Sequence, residues 1–254
     1  MIERRAMLMG LAGLPLASVL ADPKLAQAAA EATNLIKIRT GSGKEVAGAL
    51  AKPAKMPAPV VLLVHEWWGL NDQIKATALE FAQQGYLALA VDLFNGRVAT
   101  TPDEARALVQ KVEPAEATDT MASWISWARN HQDGTRRVGV VGWCFGGGWA
   151  LTGSVAAPAD ATVVYYGKCD LPPDQLAHLK GPVLGHFGTR DQHIDKPMVG
   201  RFEAAMKQVG KPYSVYWYDA DHAFANPTGN NYNKPDAQLA WQRTSEFFAK
   251  QLNG

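Results

Sequence analysis

A short apolar strand that runs directly into a glycine-rich turn and an apolar helix is the feature that most restricts how this chain folds. The predicted strand covers residues 137–142, and the turn is Gly142-Trp143-Cys144-Phe145-Gly146. Glycines on both sides of the turn allow a strained backbone that lifts the Cys144 side chain above the sheet, beside the N-terminus of the next helix. This nucleophile-elbow pattern predicts Cys144 as a nucleophile. A buried cysteine in the glycine-rich turn of a nucleotide-binding fold is the alternative.

Strand-like and helix-like segments alternate along the rest of the chain. The pattern predicts strands at 34–39, 46–51, 59–65, 86–91, 137–142, 161–167, 182–187 and 213–218, and helices at 72–84, 103–131, 145–156, 197–209 and 235–252. Such alternation is typical of an α/β fold. We therefore expect a mostly parallel sheet of about eight strands with helices on both faces.

A carboxylate and a histidine follow two later strands, in the chain order that an elbow nucleophile requires. Asp191 comes after the strand at 182–187, and His222 comes after the strand at 213–218. Because the carboxyl ends of parallel strands meet at one edge of the sheet, we expect both side chains near Cys144. Asp191 is predicted to orient the imidazole and His222 to act as the base. A helix cap and a satisfied polar residue are the alternatives, and Asp195 and Asp219 are the rival orienting carboxylates.

Several further motifs lie in a recognisable order after residue 33. They are His65-Glu66-Trp67-Trp68-Gly69-Leu70-Asn71, Val91-Asp92-Leu93-Phe94, Gly142 to Gly147, Tyr165-Tyr166-Gly167, Gly188 to Asp191, His222-Ala223-Phe224 and Ala240 to Thr244. With these motifs the chain resembles the dienelactone hydrolase (carboxymethylenebutenolidase) family, the Cys-His-Asp branch of the α/β-hydrolase superfamily. The resemblance implies the α/β-hydrolase fold and cleavage of an ester or lactone.

The resemblance also implies roles for three residues around the predicted nucleophile. Glu66 is expected to take the proton of the Cys144 thiol when substrate binds. The backbone N–H groups of Phe145 and Trp67 are expected to hold the developing oxyanion. From the residues alone, a carboxylate at the end of an apolar strand is costly to bury without a partner. A salt bridge to Glu66 is therefore the alternative.

The predicted reaction is acyl transfer through a thioester formed on Cys144, which water then hydrolyses. Neutral esters or thioesters are an alternative substrate class on the same scaffold. A non-catalytic or thiol-redox protein is the alternative from another class, although no Cys-x-x-Cys pair is present.

Substrate recognition departs from the family pattern. The family uses an arginine four residues after the catalytic histidine, where this chain has Asn226, and a second arginine whose register is close to that of Arg97. Loss of an arginine fork weakens the binding of a carboxylated substrate, so neutral substrates become candidates. Trp68, Trp143 and Phe224 are predicted to line an apolar pocket.

The composition limits which partners the protein can bind but says little about the reaction. The 254 residues are 47% hydrophobic with a formal net charge of +1, as expected for one soluble domain. No basic stripe for nucleic acid occurs. We expect a small-molecule ester or lactone as substrate, no cofactor, no metal and a monomer. His65, Glu66, Asp191 and His193 are the only metal-site alternative, and they lack a compact ligand spacing.

The N-terminus resembles an export signal. Arg4 and Arg5 precede an apolar stretch that ends near Ala26-Gln27-Ala28, which is typical of a signal peptide, here of twin-arginine type. We therefore predict a signal over residues 1–28, a hydrolase domain over residues 29–254, a periplasmic location and no stable membrane anchor. A simple N-terminal helix or anchor is the alternative. In an oxidising compartment Cys144 is exposed to disulfide formation with Cys169, the only other cysteine.

Overall fold

The computed structural model describes residues 16–253, and an eight-stranded sheet forms its centre. The strands are β1 Asn34–Arg39, β2 Glu45–Ala51, β3 Ala58–Val64, β4 Leu87–Val91, β5 Gly134–Trp143, β6 Ala161–Tyr165, β7 Val183–Gly188 and β8 Tyr213–Tyr218. Their order in the sheet is β1-β2-β4-β3-β5-β6-β7-β8. All eight predicted strands are confirmed, with bounds that differ by at most three residues.

The sheet is parallel from β4 to β8. The β1–β2 and β2–β4 pairs are antiparallel, whereas the other five neighbouring pairs are parallel. Strand β3 shows that the sheet is covered on both faces. Val61 and Leu63 lie in one apolar cluster, and Val60, Leu62 and Val64 lie in another. A strand that alternates between two cores needs an apolar residue at every position. The prediction of a mostly parallel sheet of about eight strands with helices on both faces is thereby confirmed.

Nine helices accompany these strands in residues 16–253. They are α1 Leu16–Ala21, α2 Pro23–Glu31, α3 Asp72–Gln83, α4 Pro102–Gln110, α5 Pro114–Asn130, α6 Phe145–Ala156, α7 Pro173–Leu176, α8 Lys196–Gln208 and α9 Lys234–Leu252. Side-chain caps begin several of them. Asn71, Asp195 and Asn233 each accept a hydrogen bond from a backbone N–H in the first turn of α3, α8 and α9 respectively.

The prediction of a single helix over 103–131 is wrong. Helix α4 ends at Gln110, and α5 begins at Pro114 after a three-residue connection. A proline has no N–H to donate to the carbonyl of the preceding turn, and its ring clashes with that carbonyl. Pro114 is tolerated at the first position of a new helix, so it divides the segment in two.

The predicted export signal lies partly outside the described residues, because residues 1–15 are not among them. From residue 16 onward the segment forms α1 and α2, which pack against α3: Val19, Leu20 and Ala29 share an apolar cluster with Ala76. Within residues 16–253 no helix is long and apolar enough to cross a membrane. The division into signal and domain stays a prediction.

Candidate active site

The turn between β5 and α6 holds Cys144 in a strained conformation. Its φ is 52° and its ψ is −118°, and it occupies the position that caps the N-terminus of α6. The flanking glycines make this possible, because a Cβ on Gly146 would collide with the carbonyl oxygens of Val64 and His65. Only a glycine lets the turn approach the end of β3 so closely.

Backbone strain is concentrated around this turn. Of the five described non-glycine residues with positive φ, three are Cys144, Tyr166 at 35° and Ala223 at 64°. They follow β5, β6 and β8 and lie at the same edge of the sheet. Such conformations persist where the surrounding structure enforces them, and they cluster at functional sites.

A chain of hydrogen bonds connects the three predicted catalytic side chains. The Sγ of Cys144 lies 3.1 Å from Nε2 of His222, and Nδ1 of His222 lies 2.7 Å from Oδ2 of Asp191. The other carboxylate oxygen of Asp191 accepts hydrogen bonds from the backbone N–H groups of His193, at 2.8 Å, and Ile194, at 3.0 Å. Asp191 is 5% exposed, so these three hydrogen bonds and burial together fix its orientation.

Neighbouring groups also hold the His222 ring and backbone. The rings of Tyr166 and His193 lie 5.2 and 5.5 Å from its ring centroid, and the side-chain amide of Asn231 donates to its carbonyl oxygen. Because Asp191 has no proton to donate at neutral pH, Nδ1 of His222 is the donor in their hydrogen bond. Nε2 therefore faces the thiol.

The charges of His222 and Asp191 stabilise each other. Burial lowers the pKa of His222, but the hydrogen bonds to Asp191 and Cys144 outweigh it and raise the pKa to about 10. For Asp191, burial raises the pKa, but the hydrogen bonds from His222 and the two backbone N–H groups lower it by more, so the pKa decreases overall. The arrangement favours a carboxylate beside an imidazolium.

Glu66 is buried and meets two neutral donors. Its Oε1 accepts a hydrogen bond from the hydroxyl of Tyr166 at 3.2 Å, and its Oε2 accepts one from the side-chain amide of Asn226. The Oδ1 of Asn226 accepts from both the N–H and the hydroxyl of Thr228, which fixes the direction of the amide. The sequence analysis assigned no role to Tyr166 or Thr228, because their contacts with Glu66 and Asn226 join distant loops.

Glu66 forms no salt bridge with a lysine or arginine within residues 16–253, so the structure does not support that alternative. Burial raises the pKa of Glu66, while the hydrogen bonds from Asn226 and Tyr166 lower it less, so the net change is an increase. A buried carboxyl without a salt-bridge partner takes up a proton readily, as a group that accepts protons during a reaction must.

The backbone N–H groups of Trp67 and Phe145 lie on the loop after β3 and at the first position of α6. Neither donates a hydrogen bond to any group in the described part of the chain. Both therefore have no acceptor within residues 16–253, as their predicted role as oxyanion donors requires.

The predicted substrate-binding residues fall into two groups. Trp68 is half-buried, with its ring 5.1 Å from that of Trp67, and Arg97 is exposed on a loop that pairs with the Trp68–Gly69 segment through the Ala99 N–H. Trp143 and Phe224 are buried: Trp143 stacks on Tyr165, whereas Phe224 lies fully inside the core. Asn226 is also buried, and its amide contacts Glu66.

A cavity of about 400 Å³ lies beside Trp143, between α3 and α9. Tyr165, Tyr232 and Trp241 also line it, together with polar side chains of α3 and α9, whereas Cys144 and His222 do not. Ala225 and Pro227, the neighbours of Asn226, form part of its wall. The thiol of Cys144 therefore does not line this cavity, although its neighbour Trp143 does.

The rival carboxylates lie elsewhere. Asp195 caps α8 by accepting from the N–H of Met198, and Asp219 is an exposed partner of Arg190. The two cysteines lie in different apolar clusters, and both are free thiols. Within residues 16–253 no group of three or more histidine, cysteine and acidic side chains has the arrangement of a metal site.

The sheet topology, the strained turn and the side chains at the strand ends together define an α/β-hydrolase. The model of the dienelactone hydrolase family matches residues 46–252. The chain belongs to this family, and it is a hydrolase.

Similar proteins agree with the assignment. The carboxymethylenebutenolidases of Pseudomonas putida and Pseudomonas knackmussii are both 28% identical over 228 residues, which cover 85% of this chain and 96% of each relative. The crystal structure of a dienelactone hydrolase from Anabaena variabilis is 21% identical and superposes with a TM-score of 0.64, covering 87% of this chain and 98% of that one. At this identity the superposition supports the fold.

Proposed function

We propose that the protein hydrolyses an ester or lactone by nucleophilic attack of Cys144 and through a thioester acyl-enzyme. The observation that carries the proposal is the continuous contact from the Cys144 thiol through His222 to Asp191. A nucleophile, a base within hydrogen-bond reach and a third group that orients the base form the arrangement that acyl transfer requires.

Each step has a group to perform it. The thiol gives its proton to Glu66, and the thiolate sulfur forms a bond to the carbonyl carbon while the N–H groups of Trp67 and Phe145 hold the oxyanion. Collapse of this intermediate breaks the bond to the alcohol oxygen, which takes a proton from His222. Water, deprotonated by His222, then attacks the thioester, and the acid leaves as the thiolate is released and regains its proton from Glu66.

Glu66 is proposed to accept the proton of the thiol when substrate binds, as the family resemblance implies. Its raised pKa supports this role, because a carboxyl that favours its neutral form gains a proton at small cost. Tyr166 and Asn226 would hold Glu66 until substrate displaces it.

The substrate is proposed to be a neutral ester or lactone. A carboxylated lactone is best held by an arginine fork. The buried position that carries an arginine in the family is here Asn226, whose amide contacts Glu66, and Arg97 is exposed on its loop. These two positions therefore supply no buried cation that could hold a substrate carboxylate near the thiol.

Hydrolysis of a dienelactone and of a neutral aryl ester by the same preparation tests both proposals. Cys144→Ala should abolish both activities, and the wild-type kcat/KM should be higher for the aryl ester. Undiminished turnover by Cys144→Ala would overturn the nucleophile, whereas a preference for the dienelactone would overturn only the substrate class.

Export to the periplasm is proposed from Arg4, Arg5 and the apolar stretch that follows them. Replacing both arginines with lysine should leave the protein in the cytoplasmic fraction of a bacterial host that carries the twin-arginine machinery. Unchanged recovery from the periplasm would contradict the twin-arginine route.

A further inference from the structure

His65 is a buried histidine at the end of β3 that the proposed mechanism does not use. It is 0% exposed, and both ring nitrogens have partners. Nδ1 lies 2.6 Å from the carbonyl oxygen of Glu66, and Nε2 lies 3.1 Å from the backbone nitrogen of Leu93. The ring therefore connects the loop after β3 to the loop after β4.

The partners of the ring determine its tautomer. A backbone N–H can only donate, so the nitrogen facing Leu93 must be the unprotonated one. The proton consequently lies on Nδ1, and Nδ1 donates to the carbonyl of Glu66. Burial lowers the pKa of His65, in agreement with a neutral ring. The sequence analysis gave this residue no role beyond its place in the motif after β3 and in an unsupported metal site.

The carbonyl that His65 holds belongs to the same peptide unit as the N–H of Trp67. In a trans peptide the C=O and the N–H point in opposite directions, so fixing one fixes the other. A second donor, the N–H of Gly69, reaches the same carbonyl at 3.2 Å. Donors on the carbonyl also polarise the peptide and make its N–H a better donor.

We propose that His65 is a positioning residue for the oxyanion hole: its Nδ1–H orients the Glu66–Trp67 peptide so that the Trp67 N–H is aimed at the developing oxyanion. The inference rests on the proposed function, because the Trp67 N–H is one of the two oxyanion donors of that mechanism. The ring also stacks against Phe145, the residue of the other donor, with ring centroids 5.9 Å apart, and it lies 4.7 Å from Phe94. Packing alone is thus the competing explanation for a buried aromatic ring here.

Two substitutions separate hydrogen bonding from packing. His65→Asn places an amide nitrogen near the position of Nδ1 and can still donate to the carbonyl, but it loses the ring. His65→Phe keeps a ring between Phe94 and Phe145, but it cannot donate. Both variants leave the Leu93 N–H without the imidazole acceptor, so that loss is the same in the two.

The expected result is a split between these variants. Removing an oxyanion donor costs about 10²–10³ in rate, so misdirecting one should lower kcat by about 10–100-fold in His65→Phe, with KM changed less than about two-fold. His65→Asn should stay within a few-fold of wild type. Alkylation of Cys144 by iodoacetamide displaces iodide at a carbon and forms no oxyanion, so its rate should be the same in both variants and the wild type.

Each outcome has a definite meaning. Equal activity of the two variants, or a better kcat in His65→Phe, would overturn the positioning role and assign the ring to packing. A parallel loss of alkylation in His65→Phe would also overturn it, because the damage would then extend to the thiol. Cys144→Ala is measured alongside: if it retains turnover, the proposed function fails as well, whereas an inactive Cys144→Ala confines any failure to His65.

Discussion

The carboxylate of Asp191 accepts three hydrogen bonds, and their directions determine how a neutral side chain at this position would affect His222. In Asp191→Asn the two backbone N–H groups of His193 and Ile194 keep an oxygen at the Oδ1 position. The new NH2 then faces Nδ1 of His222 and forces the other tautomer. We expect kcat to fall by about 10³–10⁴-fold in steady-state assays, with little change in thermal stability.

Matched carboxylates provide the control. Asp195→Asn keeps an oxygen that can cap α8, and Asp219→Asn removes only an exposed partner of Arg190. Both should retain activity within a few-fold of the wild type. A loss of activity in Asp219→Asn as large as that in Asp191→Asn would show that the orienting role does not belong to Asp191 alone.

Glu66 provides a prediction about stability and pH. Its pKa in the folded protein lies above the ordinary value of 4.5, so the unfolded chain releases this proton at lower pH than the folded chain does. The contribution of Glu66 to the free energy of unfolding is therefore fully present below pH 4.5 and is lost as pH rises through the folded-state pKa. Glu66→Gln cannot ionise. Its stability relative to wild type should increase as pH rises above 4.5 in urea unfolding experiments, and parallel pH curves would contradict the burial argument.

Sequence and structure agree best on side chains that follow strands. Cys144, Asp191 and His222 could be located because parallel strands bring their ends to one edge of the sheet, and the structure brings these three into contact. The contact between Asn226 and Glu66 could not be predicted. The two residues are 160 positions apart, and the amide direction depends on Thr228.

The packing of the elbow against β3 leads to a prediction about two helices. A Cβ on Gly146, in the first turn of α6, would meet backbone carbonyl oxygens that cannot move independently. Gly146→Ala should therefore lower the free energy of unfolding by about 1–3 kcal/mol or more and reduce kcat, because the thiol and the loop after β3 must separate.

Gly200 in α8 is the control for this substitution. No atom lies within 4 Å of a Cβ built there. Gly200→Ala should raise the free energy of unfolding by about 0.5–1 kcal/mol, as expected for a helix interior, and leave kcat unchanged. Chemical denaturation of both variants checks the opposite signs. Equal effects would show that helix propensity, and not the approach of α6 to β3, dominates at Gly146.

Helix bounds were predicted less well than strand bounds for a physical reason. The segment 103–131 has a continuous helical pattern, yet Pro114 interrupts the hydrogen-bond ladder within it. Thr101 and Glu104 form a capping box at the start of α4, a local signal that agrees with the structure. Local signals thus locate the beginnings of helices, whereas a single proline decides whether one continues.

The molecule also separates into a part that carries the site and a part that does not. Helices α1 and α2 contact α3 through their own apolar cluster, and this cluster shares no residue with the one that Cys144 packs against. An apolar N-terminal segment of this kind suits both a signal peptide and a docked helix. Sequence alone therefore could not tell which of the two it forms.

Removal of residues 1–28 tests the independence of these two parts. The deletion takes away Val19 and Leu20, which are each 6% exposed, and uncovers Ala76 on α3. Burial of two such side chains contributes at most about 3–6 kcal/mol before the entropy of ordering the segment is subtracted, so we expect Tm to fall by a few degrees. The site begins at His65, so kcat and KM should stay within about two-fold of the full chain. Calorimetry and aryl-ester turnover on both forms measure the two effects. A tenfold loss of kcat would mean that α1 and α2 support the site through α3 and its N-cap Asn71, and a protein that loses this segment on export would then be an impaired enzyme.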